Sequence, residues 1–104
     1  MTLEDILANY LPLEAASDEL SDFFALFADR TRMRILSLLS VGELCVNDIS
    51  FILGLNQSTV SHQLRNLKDK NLVGSRKDGK RTFYYISNGK LEDFFMQAVL
   101  ATEE

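Results

Sequence analysis

The chain has 104 residues, of which 46% are hydrophobic and 25% charged, and its formal net charge is −4. This size and balance indicate one small globular domain, residues 1–104, rather than a disordered segment. Its longest uninterrupted apolar run, Phe23–Ala28, is far too short to cross a membrane, and its acidic start is unlike a secretory signal peptide. A single cysteine excludes an intrachain disulfide framework, so we expect a cytoplasmic protein with no membrane partner.

The charges are distributed unevenly. Residues 1–29 contain seven acidic and no basic side chains, residues 30–81 contain ten basic and four acidic ones, and residues 82–104 contain one basic and four acidic ones. The local field guides association with a charged partner more than the total charge does. The basic middle of the chain therefore favours an anionic ligand, although the protein as a whole is acidic.

Apolar residues at helical spacing predict three helices in the first part of the chain. The first covers residues 2–11 and ends near Pro12, because proline lacks the backbone N–H that a helix interior uses. Ser17 is a candidate N-cap of the second helix. Asp29 is a candidate N-cap of the third, and Gly42 is placed to end it.

Residues 47–70 predict a helix-turn-helix. Asn47 and Asp48 are expected to cap a short helix, Gly54 stops it, and a second helix begins near Gln57. The second helix has one apolar stripe, formed by Val60, Leu64 and Leu67. Two short helices joined by a tight glycine-containing turn are typical of this motif.

Two strand-like runs over residues 72–86 flank Asp78-Gly79, a strong signal for a two-residue hairpin turn. A final helix is predicted over residues 89–102. The expected fold is mainly α with a small β-hairpin (α+β). It is a winged helix-turn-helix with additional helices at both ends.

The second helix of the motif presents short polar side chains at its amino-terminal end, which in recognition helices reaches base edges in the major groove. A solvated helix face is the alternative, but serine and threonine are mediocre helix formers. We predict that six residues contact double-stranded DNA: Gln57, Ser58, Thr59, Ser61, His62 and Arg65.

The hairpin tip supplies a second basic surface. A loop at Asp78-Gly79 places Lys77 opposite Lys80 and Arg76 opposite Arg81. Like charges directly across a hairpin repel each other, so this tip favours contact with a polyanion such as the DNA backbone. The alternative is that exposed cations only protect an edge strand from aggregation.

Four segments of the chain resemble the ArsR/SmtB family of bacterial winged-helix repressors. They are Phe24–Leu36, Glu43–Ile49, Gln57–Leu67 and Lys77–Tyr85. The resemblance covers about residues 16–100, and the motifs stand in the family's order. It implies a homodimer that binds operator DNA and releases it when an inducer, often a metal or metalloid ion, binds.

The first and last helices carry more large apolar residues than a domain this small is expected to hide, and an exposed apolar strip marks an interface. The alternative is that both helices only cap the core of one chain. We predict a homodimer interface formed by Leu3, Ile6, Leu7, Tyr10, Leu91, Phe94, Phe95 and Val99.

The resemblance fails at the inducer sites. Where thiol-sensing members carry Cys-Val-Cys, this chain has Cys45-Val46-Asn47, and soft metals need two or more thiolates. At the positions of the zinc or cobalt ligands on the last helix, the chain has Asn88, Lys90, Ala101 and Glu104. We therefore predict that neither family metal site is functional and that no cofactor is bound. The inducer is unknown from the sequence.

Three other readings remain open. Cys45 is more often an inert buried residue, but it could sense redox state alone or by pairing across a dimer. The chain could instead be a winged-helix protein-interaction module. An enzyme is disfavoured because there is no Ser/His/Asp arrangement, glycine-rich phosphate loop or paired carboxylates with a supporting base.

Overall fold

The computed structural model describes residues 1–102 of the chain. Along these residues, one short 3-10 turn, Leu26–Ala28, accompanies six α-helices and three β-strands. In chain order the helices and strands are α1 (Leu3–Ala15), α2 (Ser17–Ala25), α3 (Arg30–Leu39), β1 (Leu44–Cys45), α4 (Val46–Leu53), α5 (Gln57–Asp69), β2 (Val73–Asp78), β3 (Arg81–Ile86) and α6 (Gly89–Thr102). The chain divides into two compact units, Met1–Met33 and Arg34–Glu104. That residues 1–104 form one domain stays a prediction.

In the first unit, α1 begins with a capping box. The Thr2 hydroxyl accepts a hydrogen bond from the Asp5 backbone N–H, and the Asp5 carboxylate accepts one from the Thr2 N–H. The prediction that this helix ends near Pro12 is wrong, because Pro12 lies inside α1. Proline removes one N–H and so one helical hydrogen bond, yet the Pro12 carbonyl still accepts from the Ala16 N–H.

The capping of the next two helices is only partly as predicted. Ser17 is the first residue of α2 rather than its cap; the cap position is Ala16, which makes no side-chain capping bond. Asp29 does cap α3, since its Oδ1 accepts from the Arg32 N–H at 3.0 Å. Gly42 does not end α3, because the helix ends at Leu39 and the Val41 N–H donates to the Leu38 carbonyl, three residues back, in a tight turn.

In the second unit, α4 and α5 form the predicted helix-turn-helix. The helix α4 begins earlier than expected, with Cys45 at its N-cap, and it ends at Gly54, whose φ of 67° is left-handed. Glycine adopts this left-handed conformation without strain, whereas a residue with a side chain does not. The Arg34 guanidinium donates to the last helical carbonyl, that of Leu53, at 2.8 Å. This bond satisfies a backbone acceptor that the helix end leaves without a partner.

The core of the second unit explains why α5 has a fixed orientation in its motif. The predicted stripe is fully buried, with Val60, Leu64 and Leu67 at 0 to 1% exposure. The other buried apolar residues of this unit are Ile35, Leu36, Leu39, Cys45, Ile49, Leu72, Val73, Ile86, Leu91 and Phe95. Because the apolar stripe faces this core, the polar face of α5 is directed outward.

The wing is an antiparallel sheet of three strands in the order β1-β3-β2. The strand β1 is not anticipated by the sequence interpretation. The hairpin turn also differs: Asp78 pairs with Arg81, so the two loop residues are Gly79 and Lys80. Of these two loop residues only Gly79 has a positive φ, 64°, which is the glycine position of a type II′ turn.

The helix α6 covers Gly89–Thr102, as predicted. Asn88 caps it, because its Oδ1 accepts from the Leu91 N–H at 3.1 Å. Its Leu91 and Phe95 side chains are buried in the chain itself. The second unit thus has the helices and hairpin of a winged helix-turn-helix, which confirms the predicted fold class.

Candidate nucleic-acid interface

The first turn of α5 is organised around Asn56, its N-cap residue. The Asn56 Oδ1 atom accepts hydrogen bonds from the Thr59 backbone N–H and from the Ser58 hydroxyl, each at 2.8 Å. The cap holds the exposed end of the helix in a regular turn. It also gives Ser58 a local partner, so its hydroxyl has a structural role in addition to the predicted contact with DNA.

Gln57 connects the two helices of the motif. Its side-chain amide donates to the Asn47 side-chain oxygen on α4, and both residues are exposed. Because Asn47 follows the first residue of α4, this bond fixes the amino-terminal ends of the two helices relative to each other. Gln57 therefore lies on the predicted surface with an intramolecular partner already in place.

The remaining predicted contacts on α5 face outward to different extents. His62 and Arg65 are exposed, whereas Thr59 and Ser61 are half-buried. The His62 Nε2 atom lies 3.4 Å from the Asn66 side-chain nitrogen one turn later, within reach of a hydrogen bond when that ring nitrogen is unprotonated. His62 and Arg65 place an imidazole and a cation on the outward side of α5, and the two hydroxyls of Thr59 and Ser61 lie on its flanks.

The wing cations fall into two groups. Lys77, Lys80 and Arg81 are exposed, and their side chains form no hydrogen bond or ion pair with any residue from 1 to 102. Arg76 donates from Nε to Glu43 Oε2 at 2.7 Å. Its guanidinium also lies 4.9 Å from the centre of the Phe83 ring.

The register corrects one argument for DNA contact at the tip. Lys77 stands opposite Thr82, Arg76 opposite Phe83 and Arg81 opposite Asp78. The predicted pairs of like charges do not exist, so their repulsion cannot argue for a polyanion. What remains is the exposure and positive charge of the tip itself.

Lys68 is a residue that the sequence interpretation did not assign to a role in the wing. Its ammonium group, near the end of α5, donates to the Ser75 hydroxyl of β2 at 2.7 Å. The bond connects the candidate recognition helix directly to the wing. No local pattern indicates it, because it depends on how the turn after α5 folds back.

The residues predicted for a homodimer interface separate by exposure. Leu3, Ile6, Leu7, Tyr10 and Val99 are 49 to 82% exposed. Leu91 and Phe95 are 0% and 6% exposed, so their assignment to an exposed strip is corrected: the core of the chain encloses them. Phe94 is half-buried. Further large exposed apolar side chains on these two helices are Leu11, Leu13, Met96 and Leu100.

The Cys45 thiol is buried and donates to Asp48 Oδ2 at 3.2 Å. Reactive thiols usually lie in electropositive, partly exposed surroundings, and this one lies beside a carboxylate. Among the positions that carry zinc or cobalt ligands on the last helix of the family, Asn88 caps α6 through its side-chain oxygen, and Lys90 and Ala101 are exposed. Glu104 lies outside the described residues.

Among residues 1–102, no group of three or more His, Cys, Asp or Glu side chains is placed to hold a metal ion. The helices found in this same part of the chain are all too short or too polar to cross a membrane. Neither observation identifies an inducer. The absence of metal binding and the absence of a cofactor stay predictions.

Comparison with known proteins agrees with this geometry. Residues 29–75 match the family model described as "Bacterial regulatory protein, arsR family". The arsenical resistance operon repressor of Staphylococcus aureus is 40% identical over 75 residues, which are 72% of each chain.

Two solved structures resemble the chain closely. The structure of reduced HlyU from Vibrio cholerae has a TM-score of 0.78 and 27% identity, covering 89% of this chain and 98% of that one. A homodimeric winged helix-turn-helix DNA-binding domain from Mycobacterium bovis has a TM-score of 0.71 and 31% identity, covering 88% and 84%. The chain therefore belongs to the ArsR family of transcriptional regulators.

Proposed function

We propose that this protein is a dimeric repressor that binds operator DNA in a sequence-specific manner in the cytoplasm. The observation that carries the proposal is the outward face of α5, where polar residues surround a capped helix end while the apolar stripe is buried. A helix amino terminus also carries a partial positive charge and free N–H groups that suit a phosphate. Family membership supports the same role.

The two surfaces have different tasks in this proposal. Gln57, Ser58, Thr59, Ser61, His62 and Arg65 face the major groove, where side chains distinguish base pairs. Lys77, Lys80 and Arg81 of the wing face phosphates or the minor groove, where charge adds affinity without sequence preference. Arg76 belongs to the same basic surface, but it has two partners within the chain.

A second chain is required because two half-sites one helical turn apart need two recognition helices. Five of the eight predicted interface residues are at least 49% exposed: Leu3, Ile6, Leu7, Tyr10 and Val99. Exposed apolar strips of this kind mark interfaces, and the similar domain from Mycobacterium bovis is homodimeric. We propose a homodimer that uses these residues, with Phe94 at its margin.

The two family metal sites are not functional in this proposal. Asn47 replaces a thiolate beside Cys45, and Lys90 places a cation where a ligand is needed. The hydrogen bond from the buried Cys45 thiol to Asp48 favours a structural role for this cysteine over redox sensing.

The test is fluorescence anisotropy of the purified protein on DNA upstream of its own coding sequence and on a random duplex of equal length. We expect binding to the upstream DNA to be on the order of 10³-fold tighter or more. That binding should weaken steeply between about 50 and 200 mM salt because counterions are released from phosphates. Equally weak, salt-insensitive binding to both duplexes would instead favour the protein-interaction module.

Single variants separate the two surfaces. Lys80→Gln should weaken binding to every duplex and reduce the salt slope by about one, whereas Arg65→Ala should relax specificity at one operator position. Lys90→Gln is the matched control, since it removes an exposed cation from α6. If Lys80→Gln and Arg65→Ala lower specific and random binding alike, this division of tasks is wrong.

A further inference from the structure

Arg76 differs from the other wing cations because its guanidinium already has two partners within the chain, a carboxylate at Nε and an aromatic ring. Its Nε donates to Glu43 Oε2 at 2.7 Å, and its Cζ atom lies 4.9 Å from the centre of the Phe83 ring. Glu43 lies immediately before β1, and Phe83 is the residue opposite Arg76 on β3. The three residues, which we call the wing anchor, therefore connect the outer strand β2 to the segment that leads into α4.

Ser75, the residue before Arg76 on β2, has a hydrogen bond to a different element of the fold. Ser75 accepts a hydrogen bond from Lys68 of α5 at 2.7 Å. Successive side chains of a strand point to opposite faces of a sheet, so Ser75 and Arg76 are tied on opposite faces. Beyond these two residues, the tip from Lys77 to Arg81 has no side-chain hydrogen bond or ion pair within the described residues.

We propose that Glu43 and Arg76 are positioning residues, which fix the wing so that its tip cations reach phosphates, and that Arg76 is not itself a phosphate ligand. The inference rests on the proposed function. To bind a phosphate through Nε, Arg76 would have to release Glu43. A phosphate bound through the Nη groups instead would lie near a carboxylate that is 2.7 Å from Nε, and like charges at that range repel each other.

The two roles predict opposite effects of removing the Glu43 charge. If Arg76 binds a phosphate, Glu43→Gln removes the carboxylate that competes with the phosphate for Arg76 and also repels it, so DNA binding becomes tighter. If the wing anchor positions the tip, Glu43→Gln loosens the wing, so DNA binding becomes weaker although the protein has lost a negative charge.

The experiment measures DNA affinity and its salt slope for Glu43→Gln, Arg76→Gln, Arg76→Lys and the double variant Glu43→Gln/Arg76→Gln. We expect both single changes to glutamine to weaken binding by about threefold to tenfold, the scale of an exposed ion pair and a cation–π contact. The salt slope should stay unchanged for Glu43→Gln. The double variant should bind DNA with about the affinity of the single variant that binds more weakly, because both changes break the same contact.

Arg76→Lys distinguishes charge from geometry. Lysine keeps the positive charge but cannot reproduce the planar guanidinium that stacks on an aromatic ring, so we expect it to be as weak as Arg76→Gln. Glu92→Gln is the matched control, since it removes an exposed acidic charge from α6 and should leave affinity within twofold. The midpoint of thermal unfolding should fall by no more than a few degrees in any variant, because exposed pairs contribute at most about 1 kcal/mol to stability.

Tighter binding by Glu43→Gln, or a loss of about one in the salt slope with Arg76→Gln that Arg76→Lys restores, would overturn the inference. A measurement without DNA keeps it distinct from the proposed function. In the free protein, the Arg76 Nε–H proton should exchange slowly with solvent and should exchange faster in Glu43→Gln. Equal exchange rates in the wild type and Glu43→Gln would disprove the wing anchor even if the protein binds DNA. Wild-type protein that does not bind DNA would disprove only the proposed repressor function.

Discussion

The helices α1 and α5 are each 13 residues long, but they use their apolar side chains in opposite ways. In α5, Val60, Leu64 and Leu67 are buried and most of the polar residues are exposed. In α1, no residue is buried, and Leu3 is 82% exposed. The helix α5 is therefore stabilised by its own chain, whereas the apolar residues of α1 remain uncovered in a single chain.

The difference indicates what each helix can bind. Burial of apolar surface contributes roughly 25 cal/mol per Å², so α5 has a fixed orientation before any ligand arrives and can offer a preorganised polar face to DNA. The exposed side chains of α1 contribute little to the stability of one chain. Their burial against a second apolar surface would stabilise an association instead.

The largest effect should come from the buried stripe of α5. Leu64→Ala removes a fully buried side chain and should lower the free energy of unfolding by about 2–5 kcal/mol, as measured by urea denaturation. Arg65→Ala, one position along and exposed, should change it by less than about 0.5 kcal/mol. Similar losses for the two variants would mean that α5 does not depend on its core face.

Next in size is a charge placed on the exposed strip of α1. Ile6→Glu should shift the protein from dimer to monomer in sedimentation equilibrium. It should also lower affinity for a two-half-site operator on the order of 10²-fold, because the second half-site loses its effective concentration. Ala8→Glu adds the same charge to the same exposed helix away from the strip and should leave the dimer intact. A dimeric Ile6→Glu protein would place the interface elsewhere.

A smaller effect compares the two N-caps. Asn56→Ala removes the acceptor for the Thr59 N–H and should lower the free energy of unfolding by about 1 kcal/mol. Thr2→Ala breaks the capping box of α1 but should leave that free energy nearly unchanged, since no side chain of α1 is buried. Urea denaturation of both variants measures the difference, and equal losses would show that α1 is coupled to the cooperative core.

The smallest effect is the ionisation of Asp5. The Thr2 backbone N–H and then its hydroxyl donate to this carboxylate, and these bonds hold the pKa of Asp5 below its usual 3.8. A lowered pKa means that the charged form stabilises the start of α1 above the unfolded-state pKa, and this contribution is lost as pH falls through the folded value. An NMR titration should give a higher Asp5 pKa in Thr2→Ala, whereas Thr2→Ser should keep the wild-type value.

Local signals in the sequence were sufficient for the helix-turn-helix and for α6. The stripe at Val60, Leu64 and Leu67, the left-handed Gly54 and the polar face of α5 all act within a few residues, so their pattern predicts the structure. The hairpin register was not accessible in this way. The observed pairing differs from the predicted one by two residues on β3, and a slip of two keeps every side chain on its original face.

What selects the register is a contact across the strands. Val73 pairs with Ile86, which joins two buried residues, and Gly74 pairs with Tyr85. A Cβ atom at position 74 would lie 2.6 Å from the Tyr85 ring. The partners of Arg76 and Lys68 depend on this register, and for that reason the sequence assigned positive charge to the wing without identifying which cations are free.

The close approach of Tyr85 to Gly74 gives the wing a built-in spectroscopic signal. The hydrogen of Gly74 that takes the place of a side chain points at the hydroxyl end of Tyr85, since a Cβ there would lie 2.6 to 2.8 Å from the Cζ, Oη and Cε2 atoms. The ring current of the tyrosine should displace the resonance of that proton from the usual glycine position in a one-dimensional NMR spectrum. Opening of the wing on DNA, or in a variant, would then be visible as the return of this one resonance to its normal position, without any label.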